Sequence, residues 1–277
     1  MLILAATPIG NLADASERLR ASLASATHIA AEDTRSLRRL AAGLGIKLTA
    51  KIYSFHEHTS GAELSKLVAI STENDLILLS DAGMPTLSDP GFELVRACAA
   101  AGLEISVLPG PNAATSALAI SGLPTDRYCF EGFVSKTSAA RRRQFEALRE
   151  EARTMIFYDS PQRIRVTLAE AIKVFGAERL GSLSRELTKR FEETIRGSLS
   201  QLADWAQQEV KGELVLVVAG TGSRRPPKAI LSEKELLAEL RALRKAGATL
   251  GEAAAELSVT SGYSRNELYK LGLKAKL

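Results

Sequence analysis

The sequence predicts an α/β fold in two parts, followed by a small helical extension. Three observations predict it. Short apolar runs alternate with amphipathic stretches through the first 120 residues, the pattern of strand–helix crossovers and a mainly parallel sheet with helices on both faces. A Gly/Pro break, SGLPTDR at 121–127, is followed by five strand-like runs with fewer helices between them. The last 48 residues read as helices. The expected domains are 1–120, an N-terminal α/β domain; 121–222, a C-terminal α/β domain with a mixed sheet; and 230–277, a helix-turn-helix-like extension.

The elements follow in order. LILAA (2–6), HIAAE (28–32) and KIYSF (51–55) read as strands. SERLRASLAS (16–25) and ELSKLVAIS (63–71) read as helices, the second with Leu64, Leu67 and Val68 on one face. DLILLS (75–80) is a buried strand, and PGFELVRACAAAG (90–102) is a helix closed by Gly102. EISVLP (104–109) is a strand and NAATSALAISG (112–122) a helix. After the break, YCFEGF, TMIFYDS, RLGSLSREL, EETIRGSL and GELVLVVAG read as strands, with helices at 138–151 and 161–175 and a third around Trp205. SREL and EETIRGSL are close enough in the chain to pair antiparallel. TGSRRPPKA (221–229) has linker composition, and a capped helix and a helix–turn–helix follow it.

Composition bounds the function. The 277 residues are 45% hydrophobic and 25% charged, ordinary for a globular chain with real cores. Cys98 and Cys129 lie in apolar contexts and read as core residues, not a disulfide framework. No Cys/His spacing points to a metal, and none is expected. The apolar start MLILAATPIG is too short for a membrane span and lacks a basic leader, so a cytoplasmic protein is expected. Of the net charge of +4, the segment from Lys228 onward carries nine Lys/Arg against six Asp/Glu, which suits an anionic partner weakly.

Several strand ends carry chemistry. In an open α/β sheet, ligands sit beyond the carboxyl ends of the strands. SDAGMP places Asp81 there, with Gly83 permitting close backbone approach and Pro85 stiffening the turn. Asp81 is either a ligand-holding acid or a turn or capping residue. Asp89, just before PGFELV, reads as the cap of the following helix. LPGPNAATSAL repeats the design, with Asn112 as a cap and small residues opening the helix. TPIGN lacks the dinucleotide-binding fingerprint and the phosphate-loop lysine. AAEDTR brings Glu32, Asp33 and Arg35 to a strand end, either to steer a hydroxyl or bind a phosphate, or as a helix N-terminus where acids meet the dipole. His56 and His58 read as a surface loop. Arg141, Arg142 and Arg143 read as a solvated helix face, or as phosphate contacts.

TPIGNL, AAEDTR, LLSDAGMPTLSDPG, LPGPNAATSAL, GLPTDRYCFEGF, IFYDSPQR, SRELTK and GELVLVV occur in this order. Together they resemble the tetrapyrrole methylase superfamily, the class III S-adenosylmethionine (SAM) methyltransferases, and within it the branch acting on small-subunit ribosomal RNA. The resemblance covers residues 2–220 almost continuously. It implies two α/β domains with SAM folded into the cleft between them, and a homodimer. It implies methylation of the ribose 2′-hydroxyl of a cytidine in the decoding region of 16S rRNA, within the 30S subunit. The implied cofactor site includes Pro8, Ile9, Gly10, Asp81, Ala82, Gly83, Met84, Ala113, Ala114, Tyr158, Leu187 and Glu213. Met84 stands where many relatives carry threonine, so a backbone contact survives there and a hydroxyl contact does not.

A ribose hydroxyl is a poor nucleophile, so Glu32, Asp33, Arg35 and Glu131 are expected to surround the ribose, with one of the carboxylates as base. RNA contacts are expected at Arg141–Arg143 and, in the tail, at Arg244, Arg265, Lys270 and Lys274. Two other readings stand beside this one. One is a methylase of a tetrapyrrole or a protein side chain; the basic tail and AAEDTR speak against it. The other is a non-catalytic RNA-binding assembly factor, against which the intact SDAGMP and PGPNAAT loops speak.

Overall fold

Leu76–Leu79 is buried at every position, which requires a central strand covered on both faces. It is β4 of a five-stranded sheet formed with β1 (Leu2–Ala5), β2 (His28–Ala31), β3 (Lys51–Ser54) and β5 (Ile105–Leu108). The strand order is β3-β2-β4-β1-β5, and every pairing is parallel. Helices α1 (Glu17–Ser25), α2 (Thr34–Gly43), α3 (Gly61–Glu73), α4 (Phe92–Ala100) and α5 (Ala113–Ile120) provide the crossovers. The computed structural model describes residues 1–222, 232–261, 263, 265–275 and 277.

Local chemistry starts most of these helices. Ser16 accepts from the Leu19 N–H, Ser60 and Glu63 form a capping box, and Asn112 accepts from the Thr115 N–H. Helix α2 is an element that the sequence reading left open. It buries Leu37 and Ala41, four residues apart, and Asp33 caps it through the Arg35 N–H at 2.7 Å. Helix α4 departs from expectation. Its cap position is Gly91, and no side chain bonds there, so Asp89 does not cap it.

The second sheet is mixed, in the order β6-β7-β10-β8-β9. Its strands are β6 (Tyr128–Phe133), β7 (Thr154–Asp159), β8 (Leu180–Arg185), β9 (Glu193–Ser198) and β10 (Leu214–Val218). Strands β6 and β7 are parallel, and β8 and β9 pair antiparallel from Leu180↔Ser198 to Arg185↔Glu193. Strand β10 is central and buried throughout. Leu214, Leu216 and Val218 face a core shared with α6 (Ser138–Ala147), α7 (Ile164–Phe175) and α8 (Leu199–Trp205). Val215 and Val217 face the other way, onto Ile9, Ala114, Ala117 and Leu118. Helix α5 of the first sheet thus packs on the second sheet.

The Gly/Pro break between α5 and β6 is tied down. Leu123 is buried, the Thr154 hydroxyl donates to the Pro124 carbonyl at 2.7 Å, and the Arg196 guanidinium donates to the Ile120 carbonyl.

The two sheets belong to one compact unit, Met1–Gly222, and a second unit spans Ser223–Leu277. In the second, α9 (Glu233–Lys245), α10 (Leu250–Ser261) and α11 (Arg265–Lys274) enclose Leu236, Leu240, Ala253, Ala254, Leu257 and Leu268. Ser232 with Glu235 caps α9, and Thr249 with Glu252 makes the same reciprocal bonds ahead of α10. The segment expected to be a linker lies outside the described residues from 223 onward.

Candidate active site

The sheet order explains why three loops matter together. Strands β4, β1 and β5 are neighbours, so the Gly/Pro-shaped loops at their carboxyl ends stand side by side. The first two are joined directly. Thr7 and Gly83 form an antiparallel bridge, with the Thr7 N–H donating to the Gly83 carbonyl at 2.8 Å and the Gly83 N–H donating back at 3.2 Å. Gly83 has φ +82°, which favours glycine. Its polar backbone groups are therefore spent on the bridge, and its role is to shape the loop.

A cleft opens beside these loops, walled largely by apolar groups with a few polar ones, as small-molecule sites are. Ile9, Ala82, Gly83, Met84 and Ala113 line it from the first sheet, and Tyr158 and Glu213 from the second. Sequence reasoning missed Leu87, Asn112, Phe133, Asp159 and Val215, which also line it. The signal for the last two was their place beside the termini of apolar strands, Asp159 closing β7 and Val215 near the start of β10. Tyr158 meets the rings of Phe130 and Phe133 edge-on at 4.9 and 5.4 Å, and burial raises its phenol above the ordinary value.

Pro8, Gly10, Asp81, Ala114 and Leu187 are not among the residues lining the cleft. Pro8 is buried. Ala114 and Leu187 are core residues packed with Val215 and Val217. Leu187 turns inward because β8 ends at Arg185 and Glu186 takes φ +51°. Gly10 faces the Lys189 side chain so closely that a β-carbon would collide with it. Lys189 in turn ion-pairs with Glu186 at 3.0 Å and Glu213 at 2.8 Å, so Gly10 lets two loops meet. Asp81 stands beside the cleft at the end of β4, where its N–H donates to Glu32 Oε2 and its Oδ1 accepts the Asp33 N–H, both at 3.2 Å.

Those two bonds lock the ends of β2 and β4 together, and they sort the expected catalytic group. Asp33 is held by Arg35, whose Nη2 lies 2.8 Å from Oδ2. That guanidinium pulls its carboxyl down to about 2, a poor proton acceptor. Glu32 is raised, first by burial and further by Asp81 and Asp33. Glu131 does not join this group. Its electrostatic partners are Cys129 and Arg153, because it shares a face of β6 with Cys129. Asp89 is the unforeseen member. It lines the cleft, and burial with Glu32 and Asp81 nearby pushes its carboxyl up to about 6, against the opposing effect of the Ser80 hydroxyl.

The Arg141–Arg143 triplet also divides. Arg141 is buried, because with Phe145 it forms the inward stripe of α6, and its Nη2 donates to the Lys136 carbonyl at 3.1 Å. As placed, it cannot reach a phosphate in solvent. Arg142 and Arg143 are exposed, the former paired with Glu146 at 3.0 Å. Arg244, Arg265, Lys270 and Lys274 are exposed.

A family profile described as Tetrapyrrole (Corrin/Porphyrin) Methylases matches residues 1–203. The chain belongs to this family. The methylase is 42% identical over 277 residues to a Mycobacterium tuberculosis (strain CDC 1551 / Oshkosh) protein named ribosomal RNA small subunit methyltransferase I, covering 99% of this chain and 95% of the relative. It is 40% identical over 281 residues to the protein of that name from Escherichia coli O157:H7, covering 99% and 94%. Among solved structures, the methyltransferase CobJ aligns with a TM-score of 0.60 at 19% identity, over 81% of this chain and 96% of that one. Diphthine synthase aligns with a TM-score of 0.60 at 13% identity, over 79% and 89%. At such identities the structures share the fold alone.

The methylase uses SAM as its methyl donor. The cleft fits that molecule chemically. Its walls are mostly apolar, with a few polar groups at the rim. Asp159 Oδ1 accepts from Arg163 at 3.1 Å, while the buried Oδ2 has no partner among the described residues. The Asp159 side chain is wholly buried, so the residue meets the cleft through its backbone. Among the described residues, no group of three or more His, Cys, Asp or Glu is arranged to hold a metal, and no helix is long and apolar enough to cross a membrane.

Proposed function

We propose that this methylase modifies the 2′-hydroxyl of a cytidine in the decoding region of 16S rRNA, within the 30S subunit in the cytoplasm, and that it works as a homodimer. Near-full-length identity to relatives named for small-subunit rRNA methylation carries this reading. The acid-lined strand ends beside the cleft support it, since a ribose hydroxyl must lose a proton. The cofactor is proposed to lie in the cleft against Ile9, Ala82–Met84, Ala113, Tyr158 and Glu213. It supplies an electrophilic methyl group on a sulfonium. The protein aligns the acceptor with that methyl, excludes water and takes one proton. The bonds between Glu32, Asp33 and Asp81 hold these acids at the strand ends where the acceptor's ribose is proposed to meet the cleft, and the Arg35 cation stays anchored on Asp33.

Incubation with labelled SAM and 30S subunits lacking the modification, followed by nuclease digestion and mass spectrometry, tests the reading. The expected product is one 2′-O-methylcytidine per subunit. Label on a base or a ribosomal protein overturns it. Alanine at both Glu32 and Asp33 is expected to lower the single-turnover rate by at least tenfold. A rate within about threefold of wild type, far below the usual effect of acid–base residues, removes the β2 acids from the mechanism.

The exposed cations Arg244, Arg265, Lys270 and Lys274 are proposed to dock rRNA phosphates. Truncation after residue 225 is then expected to weaken 30S binding and to reduce the log–log salt slope by roughly 3. Unchanged affinity and slope assign the tail to packing instead.

A further inference from the structure

Phe191 is the most exposed large apolar side chain among the described residues, 65% open to solvent. It stands in the turn between β8 and β9. A single exposed ring is ordinary, but the turn that carries this one is unusually stiff. Glu186 and Thr188 take left-handed conformations, with φ +51° and +66°, and such strain persists only where the surroundings enforce it. The turn's own polar groups do so. The Lys189 N–H donates to the Glu186 carbonyl at 2.9 Å, and the Glu192 N–H to the Lys189 carbonyl at 3.1 Å. The Glu192 carboxylate accepts the Thr188 N–H at 2.6 Å. A ring held on such a frame gives up little freedom when a partner covers it.

Two braces fix the turn to the mouth of the cofactor cleft. Lys189 pairs with Glu213, a cleft residue, and the Glu213 N–H donates to Glu186 Oε1 at 3.0 Å. On the other side, the Lys189 stem lies directly against Gly10, the neighbour of the cleft residue Ile9. Arg190 and Phe191 follow Lys189 in the chain, so they stand beside the opening.

The charges of the turn leave one cation over. Arg185 holds Glu193 at 2.7 Å, Lys189 holds Glu186 and Glu213, and Glu192 serves the Thr188 N–H. Arg190 is exposed and pairs with no carboxylate among the described residues, and its guanidinium lies 5.5 Å from the Phe191 ring centre. An open ring beside a free guanidinium matches the two parts of a nucleotide: the ring can stack on a base, and the guanidinium can bind a phosphate. A second copy of the chain could also cover the ring. The free cation, and a position where an anionic acceptor strand must approach the cofactor, favour RNA.

We propose that Phe191 and Arg190 grip an unpaired nucleotide of the substrate RNA beside the acceptor, the ring stacking on its base and the guanidinium meeting a phosphate. This rests on the rRNA reading above. Stacking of this kind is indifferent to base identity, so the contact holds the strand and does not select the acceptor.

Binding to 30S subunits over a range of salt tests the proposal, because the two contacts leave different marks. Phe191→Leu keeps an apolar side chain and removes the π face. It is expected to weaken binding at least about fivefold, the lower end for loss of one base stack, with the salt slope unchanged. Arg190→Gln is expected to lower the log–log salt slope by roughly 0.7. Phe191→Tyr, which restores a ring, is expected to bind within about threefold of wild type. Both side chains are exposed, so the melting temperature and the SAM affinity of each variant should match wild type. Wild-type affinity in Phe191→Leu overturns the stack, and an unchanged slope in Arg190→Gln overturns the phosphate contact. Sedimentation supplies a third outcome: if Phe191→Leu dissociates a wild-type dimer, the ring belongs to an interface between copies and the proposal falls. If the wild type binds no 30S subunits, the rRNA reading itself fails. Binding that survives both substitutions removes the grip alone.

Discussion

Ala113→Phe is expected to abolish SAM binding while leaving the protein folded. Ala113 is the first residue of α5 and lines the cleft opposite Tyr158 and Val215. The residue is partly exposed and lines that space, so a benzyl group there would occupy room proposed for the cofactor. The helix start would survive, because Asn112 Oδ1 still accepts the Thr115 N–H at 3.0 Å. A loss of at least about 100-fold in affinity, near 2.7 kcal/mol, is expected by calorimetry. The urea midpoint should stay close to wild type. Near-native affinity would place the cofactor somewhere other than this cleft.

Phe157→Ala is expected to do the reverse. Phe157 is fully buried in β7, opposite Leu216 of β10, and meets Phe145 edge-on at 5.5 Å. Truncating such a ring costs about 3–5 kcal/mol through lost burial and the cavity left behind. In a unit of this size the melting temperature should fall by roughly 10 °C. SAM affinity measured well below that transition should remain near wild type. A change under about 1 kcal/mol in chemical denaturation would mean that the core around α6 and α7 refills the space. The contrast comes from one strand. Met155 and Phe157 point into the core with α6 and α7, while Ile156 and Tyr158 point toward α5 and the cleft. Successive side chains of a strand face opposite ways.

Much of this was legible in the sequence because it is written locally. Apolar runs such as Leu214–Val218 mark strands covered on both faces, and Ser16, Ser60 with Glu63, and Asn112 mark helix starts in the positions where the chain uses them. The cleft residues Ile9, Met84, Ala113 and Tyr158 were reachable from family motifs in the right order. Arg141 was not legible. Three consecutive arginines look equally solvated in one dimension, and only the packing of α6 decides which of them shares the inward stripe with Phe145. Glu131 was not legible either, since its strand could present it to the acid group or, as it does, toward Cys129 and Arg153.

Asp89 shows the division most clearly. Read along the chain, an aspartate before Pro90 and Gly91 is a helix cap, because capping depends on a few adjacent residues. In space, Gly91 takes the cap position and Asp89 lines the cleft, near Glu32 and Asp81. The sequence by itself determined the strands, the helix starts, the Gly/Pro loops and the family, all of which depend on near neighbours or on motif order. Tertiary structure decided that β4, β1 and β5 stand side by side, that Gly83 spends its backbone on Thr7, and that Asp89 joins the cleft wall. The physical reason is that crossover connections, not the strands themselves, set the order of a parallel sheet. Residues far apart in the chain meet, and trade burial and charge, only after that order is fixed.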